Sequence, residues 1–210
     1  PALQAALPAI VNAIVQNAGQ TCSAGSRLLV ERSLYEPLLE RLGALFSKLR
    51  AGPAALGLDV GPLIRAAQKE RVLDFLAQAE AAGIATVARG SVVPEAPAGG
   101  FYAAPVLLRD VPADHRLAQE EIFGPVLSAM PFDDEDHAVK LANGTAFGLV
   151  AGVWTRDGAR QMRMARRLQC GQVFINNYGA GGGVELPFGG VKSSGYGREK
   201  GLEALYGFTT

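Results

Sequence analysis

Helix-like and strand-like segments alternate along almost the whole of this 210-residue chain. Apolar residues recur at helical spacing in residues 34–50 and 66–83, whereas residues 84–90, 124–132 and 149–155 are typical of strands. Short connectors, several of them rich in Gly and Pro, separate these segments. Alternation of this kind favours strands that run parallel and are covered by helices. The sequence therefore predicts an α/β fold with a mostly parallel open sheet flanked by helices.

Composition and charge exclude several classes of protein. Hydrophobic residues make up 49% of the chain and charged residues 19%, which is typical of a globular protein and unlike a disordered one. The 20 Lys and Arg residues balance the 20 Asp and Glu residues, so no net positive charge favours nucleic acid or an anionic membrane. No apolar run approaches the length that crosses a bilayer. We expect neither a nucleic-acid partner nor a membrane partner.

The chain contains two cysteines, Cys22 and Cys170. Two are too few for a disulfide-rich secreted framework, so we expect a reducing, cytoplasmic compartment. No Cys/His spacing resembles a zinc site, and we expect no bound metal. Cys170 lies in LQCGQVFIN, at a predicted helix-to-strand junction, and we expect it to be buried and inert.

Cys22 has very different neighbours. In NAGQTCSAGS the thiol is surrounded by small residues, whereas a core cysteine usually lies among bulky apolar ones. A thiolate attacks carbonyl carbon well, and a turn of small residues lets backbone N–H groups approach both the sulfur and an oxyanion beside it. Thr21 and Ser23 add hydroxyls on either side. The segment is a candidate nucleophile site; the alternative is an inert cysteine between a helix and a strand.

Two histidines, His115 and His137, are available as partners for a thiol. His115 lies in DVPADHRL and His137 at an acid-rich helix start, and neither has small or glycine neighbours. We expect both to be surface residues. A cysteine–histidine constellation of the protease type is therefore poorly supported.

The segment QEEIFGPV, residues 119–126, is a second candidate site. Two acidic residues precede an aromatic residue and a Gly-Pro turn that opens a predicted strand. A carboxylate here could accept hydrogen bonds from ligand hydroxyls, with Phe123 against a flat ring. The alternative is a pair of solvated acids before a structural turn.

The glycine-rich segment GAGGGVELPFGGVKSSGYGRE, residues 179–199, is a third candidate. The spacing of Gly179, Gly181 and Gly183 suggests a dinucleotide-binding fingerprint, but no helix pattern opens straight after it and no acid-ended second strand follows. A tightly turned active-site loop is the better interpretation. Phe188 could then form one wall of a small pocket.

Together and in this order, the three segments resemble the NAD(P)-dependent aldehyde dehydrogenase superfamily. The pattern NxGQxC is matched by Asn17, Gly19, Gln20 and Cys22, and ExFGP is matched by Glu121, Phe123, Gly124 and Pro125. The pattern PFGGxKxSGxGRE is matched without a break over residues 187–199. Because the three motifs are collinear, the resemblance is far more specific than any one of them.

The resemblance implies a covalent mechanism with a small-molecule aldehyde as substrate and NAD or NADP as cofactor. Cys22 would add to the aldehyde to form a thiohemiacetal, hydride transfer would leave a thioester, and water would release the carboxylic acid. The Cys22 backbone N–H would supply part of the oxyanion hole. Glu121 would hold the nicotinamide ribose hydroxyls, and Phe123 would pack near the nicotinamide ring.

For the substrate, the resemblance implies that Phe188 lines the aldehyde tunnel. Thr21 and Ser23 flank the nucleophile and are expected to border the aldehyde. By the same resemblance, residues 1–210 form the catalytic domain, and the coenzyme-binding domain, the general-base glutamate and the oxyanion-hole asparagine lie upstream of this chain. We expect almost no dehydrogenase turnover from the chain alone, and a homodimer or homotetramer in the full-length parent.

Two other functions stay open at this point. One is a cysteine-dependent acyl-transfer or esterase domain that uses Cys22 without a nicotinamide; it needs a base, and no convincing one is present. The other is a non-catalytic structural relative. The intact NxGQxC pattern argues against this second alternative, because a structural relative has no physical need for the thiol.

Overall fold

The computed structural model describes residues 2–179 and 183–209. In chain order the helices are α1 (Ala2–Val15), α2 (Arg32–Phe46), α3 (Ala66–Ala81), α4 (Arg116–Gln119), α5 (Glu135–Asn143), α6 (Gly158–Arg167) and α7 (Glu203–Tyr206). The strands are β1 (Arg27–Glu31), β2 (Arg50–Ala51), β3 (Thr86–Arg89), β4 (Ser91–Val92), β5 (Val106–Leu108), β6 (Val126–Phe132), β7 (Phe147–Gly148), β8 (Val150–Val153), β9 (Gln172–Ile175) and β10 (Val191–Lys192). Within the described residues, none of the helices is both long enough and apolar enough to traverse a bilayer.

The chain divides into two compact units. The central unit is Ile10–Glu135, and the terminal unit is Pro1–Ala9 together with Asp136–Thr210. Both units contain helices and parallel strand pairs. That residues 1–210 work as one catalytic domain stays a prediction.

A four-stranded sheet forms the middle of the central unit, in the order β1-β6-β5-β3. β6 pairs parallel with both β1 and β5, and only β3 runs antiparallel, at the edge beside β5. β6 is buried over its first five residues, as expected for a central strand with both faces covered. The predicted α/β class, with a mostly parallel sheet flanked by helices, is confirmed.

Helix α2 buries one apolar face in this unit. Leu38, Leu42 and Phe46 are buried on that face, while Leu45 lies on the exposed side. Each fully buried side chain of this size contributes about 1.5–3 kcal/mol. Ser33 directly precedes the helical spacing of residues 34–50, which predicts it as the N-cap, but α2 begins at Arg32 and the Ser33 hydroxyl donates to Glu31 Oε1 at 3.2 Å instead.

The terminal unit contains two short strand pairs. β8 and β9 pair parallel, and β7 and β10 pair antiparallel. Helix α6 begins after Asp157, whose carboxylate accepts from the Arg160 backbone N–H at 3.1 Å. This hydrogen bond holds the pKa of Asp157 below its ordinary value.

Candidate active site

Cys22 follows a tight turn at the end of α1. Beyond Val15 the chain makes a short 3-10 turn, Gln16–Gly19, in which Asn17, Ala18 and Gly19 all have positive φ, at 51°, 55° and 73°. A Cβ added at Gly19 would lie 2.2 Å from the carbonyl oxygen of Gly124. The glycine of the NxGQxC pattern is therefore favoured by its φ and required by its close contact with Gly124.

The Asn and Gln of the same pattern stabilise this turn. Asn17 Nδ2 donates to the Gln20 carbonyl at 2.9 Å, and Gln20 Nε2 donates to the Asn17 carbonyl at 3.0 Å. Gln20 also connects to the loop before α3, because its Nε2 donates to the Pro62 carbonyl at 3.3 Å and its Oε1 accepts from the Ile64 N–H at 2.9 Å. These two polar side chains fix residues 16–22, the predicted nucleophile turn.

The thiol of Cys22 is exposed, in the turn that leads into β1. The Ala24 N–H donates to the Thr21 carbonyl at 3.0 Å and closes that turn. In the described part of the chain, no protein group accepts a hydrogen bond from the backbone N–H of Cys22. Thr21 is half-buried, whereas Ser23 is only 6% exposed. The substrate roles assigned to Thr21 and Ser23 stay predictions.

Glu121 and Phe123 lie just before β6, on the segment that meets Gly19 through Gly124. Glu121 is exposed by area, but nearby protein atoms displace enough water to raise the pKa of its carboxyl, and the Arg71 charge opposes that rise. Phe123 is half-buried and has φ 60°, which is uncommon for an aromatic residue. The structure thus brings the predicted coenzyme segment to the nucleophile turn within the central unit.

Two residues of α3 hold this segment, and the sequence analysis missed them. Gln68 Nε2 donates to the carbonyls of Ile122 and Phe123, at 3.0 Å and 2.8 Å, and an Arg71 guanidinium nitrogen donates to the Glu121 carbonyl at 2.5 Å. A signal was present in the sequence. Gln68 and Arg71 share a helix face with Val72 and Phe75, so two polar residues stand where the helical period requires burial.

Phe188 lies in the terminal unit, on the loop before β10. Its N–H and carbonyl exchange hydrogen bonds with Glu199 at 2.6 Å and 2.7 Å, and Lys200 Nζ lies 5.5 Å from its ring centroid. Gln172 Nε2 donates to the Pro187 carbonyl at 2.7 Å. The aromatic residue is therefore held at its backbone on both sides. The tunnel-lining role of Phe188 stays a prediction.

The other polar residues of the PFGGxKxSGxGRE pattern bind backbone atoms. Lys192 Nζ donates to the carbonyls of Asn143 and Thr145 at 2.7 Å and 3.1 Å, and an Arg198 guanidinium nitrogen donates to the Gly190 carbonyl at 3.0 Å. The Ser194 hydroxyl accepts from the Gly148 N–H at 3.0 Å. These contacts support structural roles for the three side chains. The predicted turned loop at Gly179–Gly183 lies partly outside the described residues.

Cys170 and His115 differ from Cys22 in their surroundings. Cys170 is half-buried, not fully buried as expected; its Sγ donates to the Gln172 carbonyl at 3.2 Å, and burial raises the pKa of its thiol. His115 Nδ1 accepts from the Leu117 N–H at 3.2 Å and caps α4.

Among the residues that the structure describes, no group of three or more His, Cys, Asp or Glu side chains could hold a metal ion.

The chain is similar to several known proteins. The chain is 71% identical to a crystal structure from Burkholderia cenocepacia that is provisionally named an aldehyde dehydrogenase, with a TM-score of 0.97 over 99% of this chain and 44% of that chain. It is 36% identical to a Bacillus cereus aldehyde dehydrogenase solved with NAD⁺, with a TM-score of 0.92 over 99% of this chain and 42% of that chain. A Didymella fabae aldehyde dehydrogenase is 41% identical over 92% of this chain and 40% of its own length.

The chain spans about two fifths of the length of these relatives. The sequence model described as the aldehyde dehydrogenase family matches residues 2–210, nearly the whole chain. The motifs, the fold and this match therefore lead to one assignment. The chain belongs to the aldehyde dehydrogenase family.

Proposed function

We propose that this chain is the catalytic part of an NAD(P)-dependent aldehyde dehydrogenase, which oxidises an aldehyde to a carboxylic acid with Cys22 as the nucleophile. The observation that carries the proposal is the contact between Gly19 and Gly124. This contact places the turn that bears an exposed thiol against the segment that bears Glu121 and Phe123. Family membership supports the same chemistry.

In the first step, the Cys22 thiolate adds to the aldehyde carbon. The C–S bond forms, and the π electrons of the carbonyl move to its oxygen. Because the Cys22 backbone N–H has no acceptor among the described protein groups, it is available to donate to this oxyanion. The product is the oxyanion of a thiohemiacetal on Cys22.

The next step needs a hydride acceptor, and the residues on the segment before β6 fit a nicotinamide coenzyme. The exposed Glu121 carboxylate can accept hydrogen bonds from two ribose hydroxyls, and the half-buried Phe123 ring offers a flat apolar surface. The bound nicotinamide ring would accept the hydride. The Bacillus cereus relative was solved with NAD⁺, which supports NAD or NADP here.

Loss of the hydride converts the thiohemiacetal to a thioester on Cys22. Water adds to its carbonyl carbon, the C–S bond breaks, and the Cys22 thiol is regenerated as the acid leaves. The overall balance is aldehyde, water and oxidised coenzyme to carboxylic acid, reduced coenzyme and a proton. Phe188, Thr21 and Ser23 would border the aldehyde, and a homodimer or homotetramer would be the assembly of the whole protein.

The test is Cys22→Ala in the whole protein, with Cys170→Ala as the matched control. Reduction of NAD⁺ and of NADP⁺ is followed by absorbance with a panel of aldehydes. Removal of a covalent nucleophile lowers kcat by roughly 10³-fold or more. Cys170→Ala should stay within about twofold of the starting protein, because Cys170 lies outside the proposed site.

A second readout identifies the intermediate. Quenching during turnover should give an acyl adduct on the peptide that contains Cys22, detected by mass spectrometry. Full activity in Cys22→Ala would overturn the proposal. Cys22-dependent ester hydrolysis with no coenzyme reduction under any condition would instead favour the cysteine-dependent acyl-transfer alternative.

A further inference from the structure

The first two turns of α3 contact the backbone on which Glu121 and Phe123 lie. We propose that Gln68 is a positioning residue that, together with Arg71, holds residues 121–123 in the backbone conformation needed to bind the coenzyme. This inference rests on the proposed function only for what the segment binds. That Gln68 holds the segment can be tested without any coenzyme.

Phe123 needs an external constraint. Its φ of 60° lies in the left-handed region, which is unfavourable for a residue with a side chain unless its surroundings hold it there. Gln68 Nε2 donates to the Ile122 carbonyl at 3.0 Å and to the Phe123 carbonyl at 2.8 Å. These two carbonyls belong to the peptide groups on either side of the Phe123 Cα. Both amide hydrogens of Gln68 are used on these two carbonyls. One side chain thus fixes two successive peptide planes.

Arg71 extends the same contact by one residue. A guanidinium nitrogen donates to the Glu121 carbonyl, and the guanidinium carbon lies 4.9 Å from the centroid of the Phe75 ring. Phe75 is fully buried, so it gives the arginine a fixed surface on which to stack. Three consecutive carbonyls, from Glu121 to Phe123, therefore accept from one face of α3.

The same helix is tied to the nucleophile turn. Gln20 binds residues 62–64, directly before α3, and Gly124 is packed so that an added Cβ would lie 2.3 Å from Val72 Cγ2. Because Gly19 also contacts Gly124, these contacts form a closed ring through the turn, the helix and the coenzyme segment. Gln68 is the member of this ring that fixes the conformation next to Phe123.

The experiment replaces the amide donors of Gln68 in the whole protein. Gln68→Met keeps the length of the side chain and removes both donors. Gln68→Lys keeps N–H donors on a side chain long enough to reach the same carbonyls. Gln161→Met, on α6, is the matched control. Gln161 is also half-buried, and its Nε2 donates to the backbone carbonyl of Thr155 at 2.7 Å.

Amide hydrogen exchange, followed by mass spectrometry without coenzyme, is the first readout. Gln68→Met should exchange several-fold faster in a peptide covering residues 119–126 and be unchanged in a peptide covering residues 27–32. Gln68→Lys should restore most of the protection, and Gln161→Met should leave both peptides unchanged. Unchanged exchange at residues 119–126 in Gln68→Met would overturn the positioning role, whether or not the protein oxidises aldehydes.

Steady-state kinetics is the second readout. Loss of two neutral hydrogen bonds should raise the KM for the coenzyme by about tenfold in Gln68→Met, and should leave the KM for the aldehyde and the alkylation rate of Cys22 within about twofold. A variant that is merely less stable would not separate the two KM values. Faster exchange with an unchanged coenzyme KM would overturn the link to the coenzyme, and absence of coenzyme reduction in the starting protein would overturn the proposed function alone.

Discussion

The two units of the molecule are stabilised in different ways. The central unit buries its sheet, and β5 and most of β6 are inaccessible to solvent. Among the described residues of the terminal unit, the buried hydrophobic residues are Ala6, Leu7, Ala138 and Met164. Large apolar side chains stay exposed there, including Tyr196, Leu202, Leu205, Tyr206 and Phe208. The central unit therefore rests mainly on apolar burial, whereas the terminal unit depends more on individual polar contacts.

This difference matters for the candidate site. Cys22 and Glu121 lie in the unit with the extensive core, so a change in the packing of that core would displace both residues. Phe188 lies in the terminal unit, where Lys192 and Arg198 hold its loop by donating to backbone carbonyls. A hydrogen bond from a charged group is worth about 1.5–3 kcal/mol, less than a well-filled core position. Changes in the two units should therefore differ in size.

The largest difference is expected between two leucine truncations. Leu42→Ala removes a side chain that is 0% exposed on α2 and should lower the free energy of unfolding by about 3–5 kcal/mol, because it leaves a cavity in the core. Leu205→Ala, at a side chain 60% exposed in the terminal unit, should change it by less than about 0.5 kcal/mol. Urea unfolding of both variants checks this. Similar losses for the two would contradict the proposed difference between the units.

A second comparison separates backbone strain from close packing. Gly19 and Gly83 have φ of 73° and 70°, but an added Cβ meets the Gly124 carbonyl at the first position and open space at the second. Gly83→Ala should cost about 1–2 kcal/mol, for the left-handed conformation alone. Gly19→Ala should cost about 2–5 kcal/mol, since the steric overlap is added.

Thermal unfolding at neutral pH measures both glycine variants, and alkylation of Cys22 by iodoacetamide follows the turn. Gly19→Ala should also change the alkylation rate, because Gly124 and the nucleophile turn must move apart. Equal costs at the two glycines would show that the contact with Gly124 contributes nothing.

Tyr35 places a buried hydroxyl in the central unit. Tyr35 donates to the Ala129 carbonyl at 3.2 Å and accepts from the Asp110 N–H at 2.8 Å. Tyr35→Phe should cost about 1–3 kcal/mol, because the Asp110 N–H loses its acceptor. Tyr196→Phe is the control. The Tyr196 side chain is 101% exposed in the terminal unit, so removal of its hydroxyl should leave the free energy of unfolding almost unchanged.

The stability of Tyr35→Phe should also depend less on pH. Burial raises the pKa of Tyr35 to about 12, above the ordinary value of about 10, so the folded state holds the phenol proton more tightly. The resulting contribution of Tyr35 to the free energy of unfolding is fully present below pH 10 and is lost as pH rises from 10 to 12. Urea unfolding at pH 8, 10 and 11 should show a shallower decline for Tyr35→Phe than for the starting protein. Parallel declines would mean that Tyr35 does not titrate with folding.

The smallest expected effect compares the two cysteines. At pH 8 Cys22 should be alkylated by iodoacetamide at least about threefold faster than Cys170, because Cys22 is exposed and burial raises the pKa of Cys170. The labelling profile of Cys170 should therefore shift to higher pH than that of a free peptide thiol. Mass spectrometry follows each cysteine separately. Faster labelling of Cys170 would contradict the assignment of Cys22 as the accessible thiol.

Local patterns in the sequence predicted much of the fold. The helical spacing over residues 66–83 and the apolar run at 124–132 correspond to α3 and β6, because helix and strand periodicity are local consequences of backbone geometry. The helix ends were less predictable. Ser33 lies inside α2, since a cap depends on where the chain leaves the preceding strand.

The sequence by itself determined the family motifs, the α/β class and the candidate residues Cys22, Glu121, Phe123 and Phe188. Only the tertiary structure decided why Gly19 must be a glycine, because its neighbour Gly124 is distant along the chain. The same holds for Gln68, which binds carbonyls 54 and 55 positions away. Contacts of this kind are formed by packing of α3 against the start of β6, and no local propensity encodes them.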